Sequence, residues 1–105
     1  MASTPRPLMA VRLTEVARAD LRAMQPPQKR AALKAVATIR SLDRLGLQAH
    51  PGLNFEKLGG LVEPSTGKQL WSFRFGKGPR AICTLEEGVL VVVATFVTDH
   101  DKAYR

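Results

Sequence analysis

Two arginines in the second half of the chain, with a histidine and a tyrosine near its end, have types and spacing suited to chemistry. Arg74 and Arg80 flank a short Gly-Lys-Gly turn, so we expect them to lie near each other across a hairpin. Two adjacent guanidinium groups can hold a phosphate and stabilise charge that develops on it. His100 could exchange a proton near neutral pH, and Tyr104 could stack on a base or donate a proton. The alternative interpretation is a pair of ordinary surface arginines followed by a frayed polar tail.

The sequence offers little support for other chemistry. The single cysteine, Cys83, excludes an intramolecular disulfide and a multi-cysteine metal site, and we expect it to be a small buried residue. Two histidines without cysteine partners do not favour zinc, and neither a P-loop nor a GxGxxG motif is present. We therefore expect no metal and no cofactor.

Length, composition and charge indicate one small domain with an anionic partner. The chain has 105 residues, of which 45% are hydrophobic, and its formal net charge is +7. No apolar run reaches the roughly 18 residues of a membrane span, and residues 1–7 lack the apolar region of a secretory signal, which favours the cytoplasm. Residues 1–50 carry nine lysines and arginines against three acids, so most of the excess charge lies away from Arg74 and Arg80.

The elements that must position these residues begin with a strand and a helix. Residues 1–7 contain two prolines and no periodicity, so we expect a flexible arm, followed by a single domain over residues 8–105. The apolar run over residues 8–14 predicts a first strand. Thr14 is a suitable cap for a helix that reaches about Met24.

A second helix and a long connection are expected next. Pro27 suits the first turn of a helix that continues to about Leu45, and Gly46 is a plausible left-handed stop. Two helices joined by a short proline turn are typical of a helical hairpin. Residues 46–69 contain many glycines and prolines without a clear period and are interpreted as a long connection.

The last third of the chain predicts three antiparallel strands. They cover residues 70–75, 80–85 and 89–97, and short glycine-containing turns separate them. The third strand is continuously apolar, which is typical of a strand buried on both faces. The predicted order is β-α-α-β-β-β, an α+β fold in which the N-terminal strand and helical hairpin accompany a small, mostly antiparallel sheet that the helices cover on one face.

Five short motifs occur in a recognisable order within this pattern. They are Lys57-Leu58-Gly59-Gly60, Leu70-Trp71-Ser72-Phe73-Arg74-Phe75, Gly78-Pro79-Arg80-Ala81-Ile82-Cys83, Val89-Leu90-Val91-Val92-Val93 and His100-Asp101-Lys102-Ala103-Tyr104-Arg105. In this order and spacing they resemble the RelE/ParE superfamily of bacterial type II toxins, including its HigB-like branch. The resemblance covers about residues 55–105 by motif and residues 8–45 by the order of strand and helices.

The resemblance implies a cytoplasmic, growth-inhibiting toxin that pairs with an antitoxin in a hetero-oligomer. RelE-like members are mRNA endonucleases that act on the ribosome, without a metal, by activating a ribose 2′-OH against the adjacent phosphate. By position, Arg74 and Arg80 match basic residues of the family's strands, with Arg80 as the phosphate holder. His100 and Tyr104 match the polar residues that follow the last strand. Further RNA contacts are implied for Lys57, Lys68, Lys77 and Lys102.

The sequence departs from the family pattern at two places and leaves other functions open. Ser72 stands where many relatives carry a basic residue, and Asp101 follows His100 where relatives often have arginine. One alternative is a ParE-like toxin that inhibits DNA gyrase without cutting RNA. Another is a catalytically degenerate member that only binds an antitoxin.

Overall fold

The computed structural model describes residues 7–96 of the chain. Of the predicted N-terminal arm, residues 1–6 lie outside the described residues, as does Val97 at the end of the last predicted strand. Five strands and three helices make up the described part: β1 (Ala10–Leu13), α1 (Glu15–Ala23), α2 (Pro26–Arg40), α3 (Arg44–Ala49), β2 (Glu56–Val62), β3 (Gln69–Arg74), β4 (Arg80–Glu86) and β5 (Val89–Phe96).

The five strands form one mixed sheet whose order is β1-β5-β4-β3-β2. β1 runs parallel to β5, and the other three pairs are antiparallel. The predicted α+β architecture with a mostly antiparallel sheet is therefore confirmed. The parallel pairing is compatible with the connectivity, because three helices and the other three strands separate β1 from β5 along the chain.

One edge strand and one short helix were not anticipated in the connection between the second helix and the hairpin. β2 occupies seven of those residues, but two adjacent glycines interrupt its sequence pattern. Gly59 has φ of +52°, and the pairing with β3 shifts register between Lys57 and Val62. Such an irregular edge strand has no simple alternation of apolar and polar residues, which is why the sequence predicts a loop here.

The second helix ends earlier than predicted. α2 stops at Arg40, and the Asp43 carboxylate then starts α3 by accepting a hydrogen bond of 2.7 Å from the Gly46 backbone N–H. The expectation that the helix continues to Leu45 and stops at Gly46 is therefore wrong. Asp43 is a strong N-cap, and its capping bond draws the chain into a new helix that contains this glycine.

The helices cover one face of the sheet and form the core with it. Ala17 of α1 and Ile39 of α2 are buried in the same cluster as Phe73 and Leu90 of the sheet. Burial of a side chain such as Ile39 contributes about 2 kcal/mol. On the opposite face of β5 Val91 is also buried, whereas Val89 and residues 93–95 are only partly buried, so burial on both faces is limited to the middle of the strand. No helix in the described part of the chain is long and apolar enough to cross a bilayer.

Candidate functional site

The two arginines singled out from the sequence face each other at one end of the sheet. Arg74 is the last residue of β3, Arg80 is the first residue of β4, and the two are direct partners in the antiparallel register. Directly opposed residues project from the same face of a sheet. This face is the one that the helices leave uncovered, because Phe73 points to the core from the neighbouring position. The predicted proximity of the two arginines is confirmed.

The environments of the two arginines are very different. Arg74 is exposed, whereas Arg80 is only 5% exposed. The Arg80 guanidinium donates to Ser72 Oγ from Nε at 3.2 Å and from Nη2 at 2.8 Å. Its Nη2 group also donates to the Asn54 backbone oxygen at 3.1 Å and to Glu56 Oε1 at 2.7 Å. Arg80 is therefore held in one position, whereas Arg74 extends into solvent.

The acceptors around Arg80 come from two separate stretches of chain. Ser72 and Glu56 are direct register partners on β3 and β2, so they lie beside each other on the same face as Arg80. Asn54 has a left-handed backbone with φ of 44°, a conformation that asparagine tolerates better than most residues. The loop before β2 is also anchored to the sheet, because the Arg74 backbone N–H donates to the Leu53 oxygen at 2.7 Å.

The charges at this site combine a buried, fixed cation, an exposed cation and an accessible carboxylate. Glu56 is paired with Arg80, yet 49% of its side chain remains exposed to solvent. Burial of the Arg80 guanidinium is tolerated because this carboxylate, together with the hydrogen bonds to Ser72 Oγ and the Asn54 backbone oxygen, replaces its hydration. A carboxylate of this kind can accept a proton, and the adjacent cations can hold an anion. The arrangement is suited to proton abstraction next to a phosphate.

The described lysines are spread over different parts of the sheet. Lys77 lies in the exposed turn between Arg74 and Arg80, at the same end of the hairpin. Lys57 is the register partner of Trp71, which places it on the opposite face from Glu56. Lys68 pairs with Glu86 at 3.4 Å, at the far end of β4. β4 is seven residues long, so Glu86 at its end lies about 20 Å from Arg80 at its start.

Three of the predicted site residues, His100, Lys102 and Tyr104, lie outside the described residues. The structure adds two residues to the site, Asn54 and Glu56, which both contact Arg80. Glu56 precedes Lys57, which was predicted as an RNA contact. Glu56 could have been found only by recognising β2 and its register with Ser72, because its contact with Arg80 spans 24 residues of sequence. Ser72 shares a face of the sheet with Arg74 because side chains alternate along β3, but its bonds to Arg80 were not foreseen.

Cys83 and metal-binding groups offer no second site in the described region. The Cys83 side chain is fully buried, as expected, and burial raises the pKa of its thiol far above the ordinary value, which makes it unreactive. Among residues 7–96, no group of three or more His, Cys, Asp or Glu side chains is placed to hold a metal ion.

Comparison with known proteins identifies the fold. No protein-family model and no curated protein matches the chain. Among solved structures, a chain of the archaeal RelE–RelB complex from Pyrococcus horikoshii OT3 is 16% identical with a TM-score of 0.59, and the match covers 83% of this chain and 91% of that chain. A copper-bound mutant toxin from Helicobacter pylori is 11% identical with a TM-score of 0.57, over 90% of this chain and 98% of that one. The protein has the fold of RelE-like type II toxins, as the motifs predicted.

Proposed function

We propose that this protein is the toxin of a type II toxin–antitoxin system and that it cleaves mRNA on the ribosome. The observation that carries the proposal is the arrangement of Arg74, Arg80 and Glu56 on the uncovered face of a RelE-like sheet. This arrangement joins two cations with a half-exposed carboxylate. A gyrase inhibitor that acts by binding alone needs no such combination.

The chemistry proposed for these residues is transesterification of the RNA backbone. Glu56 accepts the proton of a ribose 2′-OH, and the 2′-oxygen attacks the adjacent phosphorus. The bond from phosphorus to the 5′-oxygen breaks, which yields a 2′,3′-cyclic phosphate and a 5′-hydroxyl. Arg74 and the fixed Arg80 stabilise the negative charge that develops on the phosphate oxygens. His100 is proposed to protonate the leaving oxygen, and Tyr104 to stack on a base.

The proposed partners are an antitoxin and the ribosome with its mRNA, in the cytoplasm. The structural neighbour from Pyrococcus horikoshii was solved as a RelE–RelB complex, which supports an antitoxin partner for the same fold. The cations of α2 also support an anionic partner, because this helix carries four basic residues and no acid. Lys57, Lys68, Lys77 and Lys102 remain proposed RNA contacts.

The test is ribosome-dependent cleavage by the purified protein and by Arg74→Ala. Arg74 is exposed, so its removal should leave folding intact while it slows cleavage by about 100-fold, the usual loss of one charge-stabilising donor. Arg12→Ala is the matched control, since Arg12 lies on β1, on the same face and away from the arginine pair.

The outcomes separate the three candidate functions. Slow cleavage by Arg74→Ala together with normal cleavage by Arg12→Ala supports the proposal. Gyrase-dependent DNA damage with intact mRNA would replace it with the ParE-like function. Overexpression that is harmless in a host without the antitoxin would indicate a degenerate, antitoxin-binding member.

A further inference from the structure

Within residues 7–96, the second half of β5 has a strand neighbour on one side only. β1 pairs with β5 only from Ala10, opposite Val89, to Leu13, opposite Val92. Beyond Val92, β5 continues to Phe96 and pairs there with β4, on its other side. The backbone groups of this open edge must find partners elsewhere or remain exposed.

Two side chains, one from the N-cap and one from the middle of α1, form hydrogen bonds with this edge. Thr14 caps α1 by accepting a hydrogen bond from the Ala17 backbone N–H at 3.2 Å. Its hydroxyl also donates to the Val93 backbone oxygen at 2.9 Å. Farther along α1, Asp20 Oδ2 accepts a hydrogen bond of 2.9 Å from the Thr95 backbone N–H. Side chains of the N-cap and of α1 therefore form hydrogen bonds with the backbone of β5 beyond the end of β1.

These contacts coincide with a bulge in β5. Ile82 pairs with Ala94 and Cys83 pairs with Val92, so Val93 is the extra residue. A bulge bends its strand and changes the direction in which the strand continues, and bulges are frequent beside active sites. Thr14 holds the carbonyl of the bulged residue, and Asp20 holds the strand two residues later.

The segment held in this way pairs directly with the candidate site. Thr95 is the register partner of Ala81, and Phe96 is the partner of Arg80. The path of β5 after its bulge therefore determines which residue of β5 pairs with Arg80. His100 follows Phe96 by only four residues of sequence.

We propose that Asp20 and Thr14 are positioning residues that hold the end of β5, after its bulge, beside Arg80. The inference rests on the proposed function for its catalytic consequence, although neither residue contacts the arginine pair. The Asp20 bond is the better one to test, because Thr14 also caps a helix. A carboxylate that accepts from a backbone amide forms a strong, charge-assisted bond, and a small displacement of a reacting group costs a large part of the rate.

The experiment compares Asp20→Ala, Asp20→Asn and Asp43→Ala. Asp43 is a matched control, since its carboxylate also accepts from a backbone amide, that of Gly46, in α3. For each protein, the exchange rates of the Thr95 and Gly46 amides and the NMR signal of the Arg80 Nε–H are measured. Values of kcat and KM for RNA cleavage are determined at equal concentrations of folded protein.

The expected result is specific to Asp20. Asp20→Ala should raise Thr95 amide exchange about tenfold or more, shift the Arg80 Nε–H signal and lower kcat about tenfold with little change in KM. Asp20→Asn keeps an acceptor oxygen and should restore most of the rate. Asp43→Ala should accelerate exchange of Gly46 only and leave kcat unchanged. If Asp20→Ala does not fold, Asp20→Glu, which displaces the carboxylate by one methylene, should show the same changes to a smaller degree.

Failure of this inference is distinguishable from failure of the proposed function. A wild-type protein that cleaves no RNA refutes the nuclease, and the Thr95 and Arg80 signals then decide the structural role of Asp20 alone. The inference is overturned when these signals stay unchanged in the folded Asp20 variants. It is also overturned when kcat falls no further in Asp20→Ala than in Asp43→Ala.

Discussion

Replacing Ser72 by alanine tests whether one hydroxyl group holds the buried arginine of the candidate site. Ser72 is 2% exposed, and its oxygen accepts two hydrogen bonds from Arg80, at 2.8 and 3.2 Å. Alanine has nearly the same shape but offers no acceptor. The substitution therefore leaves the Nε group of a charged, buried side chain without its partner, while packing is barely changed.

The expected cost follows from the contacts that remain. A hydrogen bond to a charged group contributes about 1.5–3 kcal/mol, and a buried donor left without an acceptor costs a similar amount. Arg80 keeps its bonds to Asn54 and Glu56 through Nη2, so only the Nε bond is lost without replacement. We expect Ser72→Ala to lower the free energy of unfolding by about 2 kcal/mol, which corresponds to a fall in Tm of roughly 10 °C for a domain of this size.

Urea unfolding of the wild type, Ser72→Ala and Ser65→Ala measures this cost. Ser65 is the control because its hydroxyl also makes a side-chain hydrogen bond, to Glu63, but in an exposed turn. Its replacement should change the free energy of unfolding by less than about 0.5 kcal/mol. A loss below 0.5 kcal/mol for Ser72→Ala would refute the reasoning, since it would mean that Arg80 does not depend on this acceptor.

Two further predictions concern turns around the sheet. Gly76 has φ of +65°, and an added Cβ would lie 3.4 Å from the Ala31 side chain, so Gly76→Ala should cost about 1 kcal/mol or more in a thermal melt. Gly78→Ala, at a position with open space and no positive φ, should cost less, and equal losses would contradict the backbone argument. In the turn between β2 and β3, a hydrogen bond from Ser65 and a weaker contribution from Thr66 lower the pKa of the Glu63 carboxyl. Because the folded pKa is depressed, the stabilisation from Glu63 is present above the pKa of the unfolded state and is lost as the pH falls through the folded value. An NMR titration should find the Glu63 pKa below that of a free glutamate and raised in Ser65→Ala, and an unchanged pKa in that variant would exclude the Ser65 bond as its cause.

The strands of the hairpin were predictable because their determinants are local. Aromatic residues occupy every second position from Trp71 to Phe75, a pattern typical of a strand, and the observed strand β3 covers Gln69–Arg74. The glycine-containing turn that follows brings Arg74 and Arg80 together without any help from the rest of the fold. The helix boundary at Arg40 was missed because the Asp43 cap competes with helix continuation, and helical periodicity alone does not reveal where a helix divides.

The sequence by itself determined the order of the main elements, the two arginines across their turn and the resemblance to RelE-like toxins, since alternation, turn residues and motif spacing are properties of neighbouring residues. Only the tertiary structure decided that Arg80 is buried and Arg74 exposed. That difference depends on Glu56 and Asn54, which reach Arg80 across 24 and 26 residues of sequence. The tertiary structure also decided that the Asp20 carboxylate accepts a hydrogen bond from Thr95, 75 residues away in the sequence. Contacts of this range arise from strand register and helix packing, which no local pattern in the chain specifies.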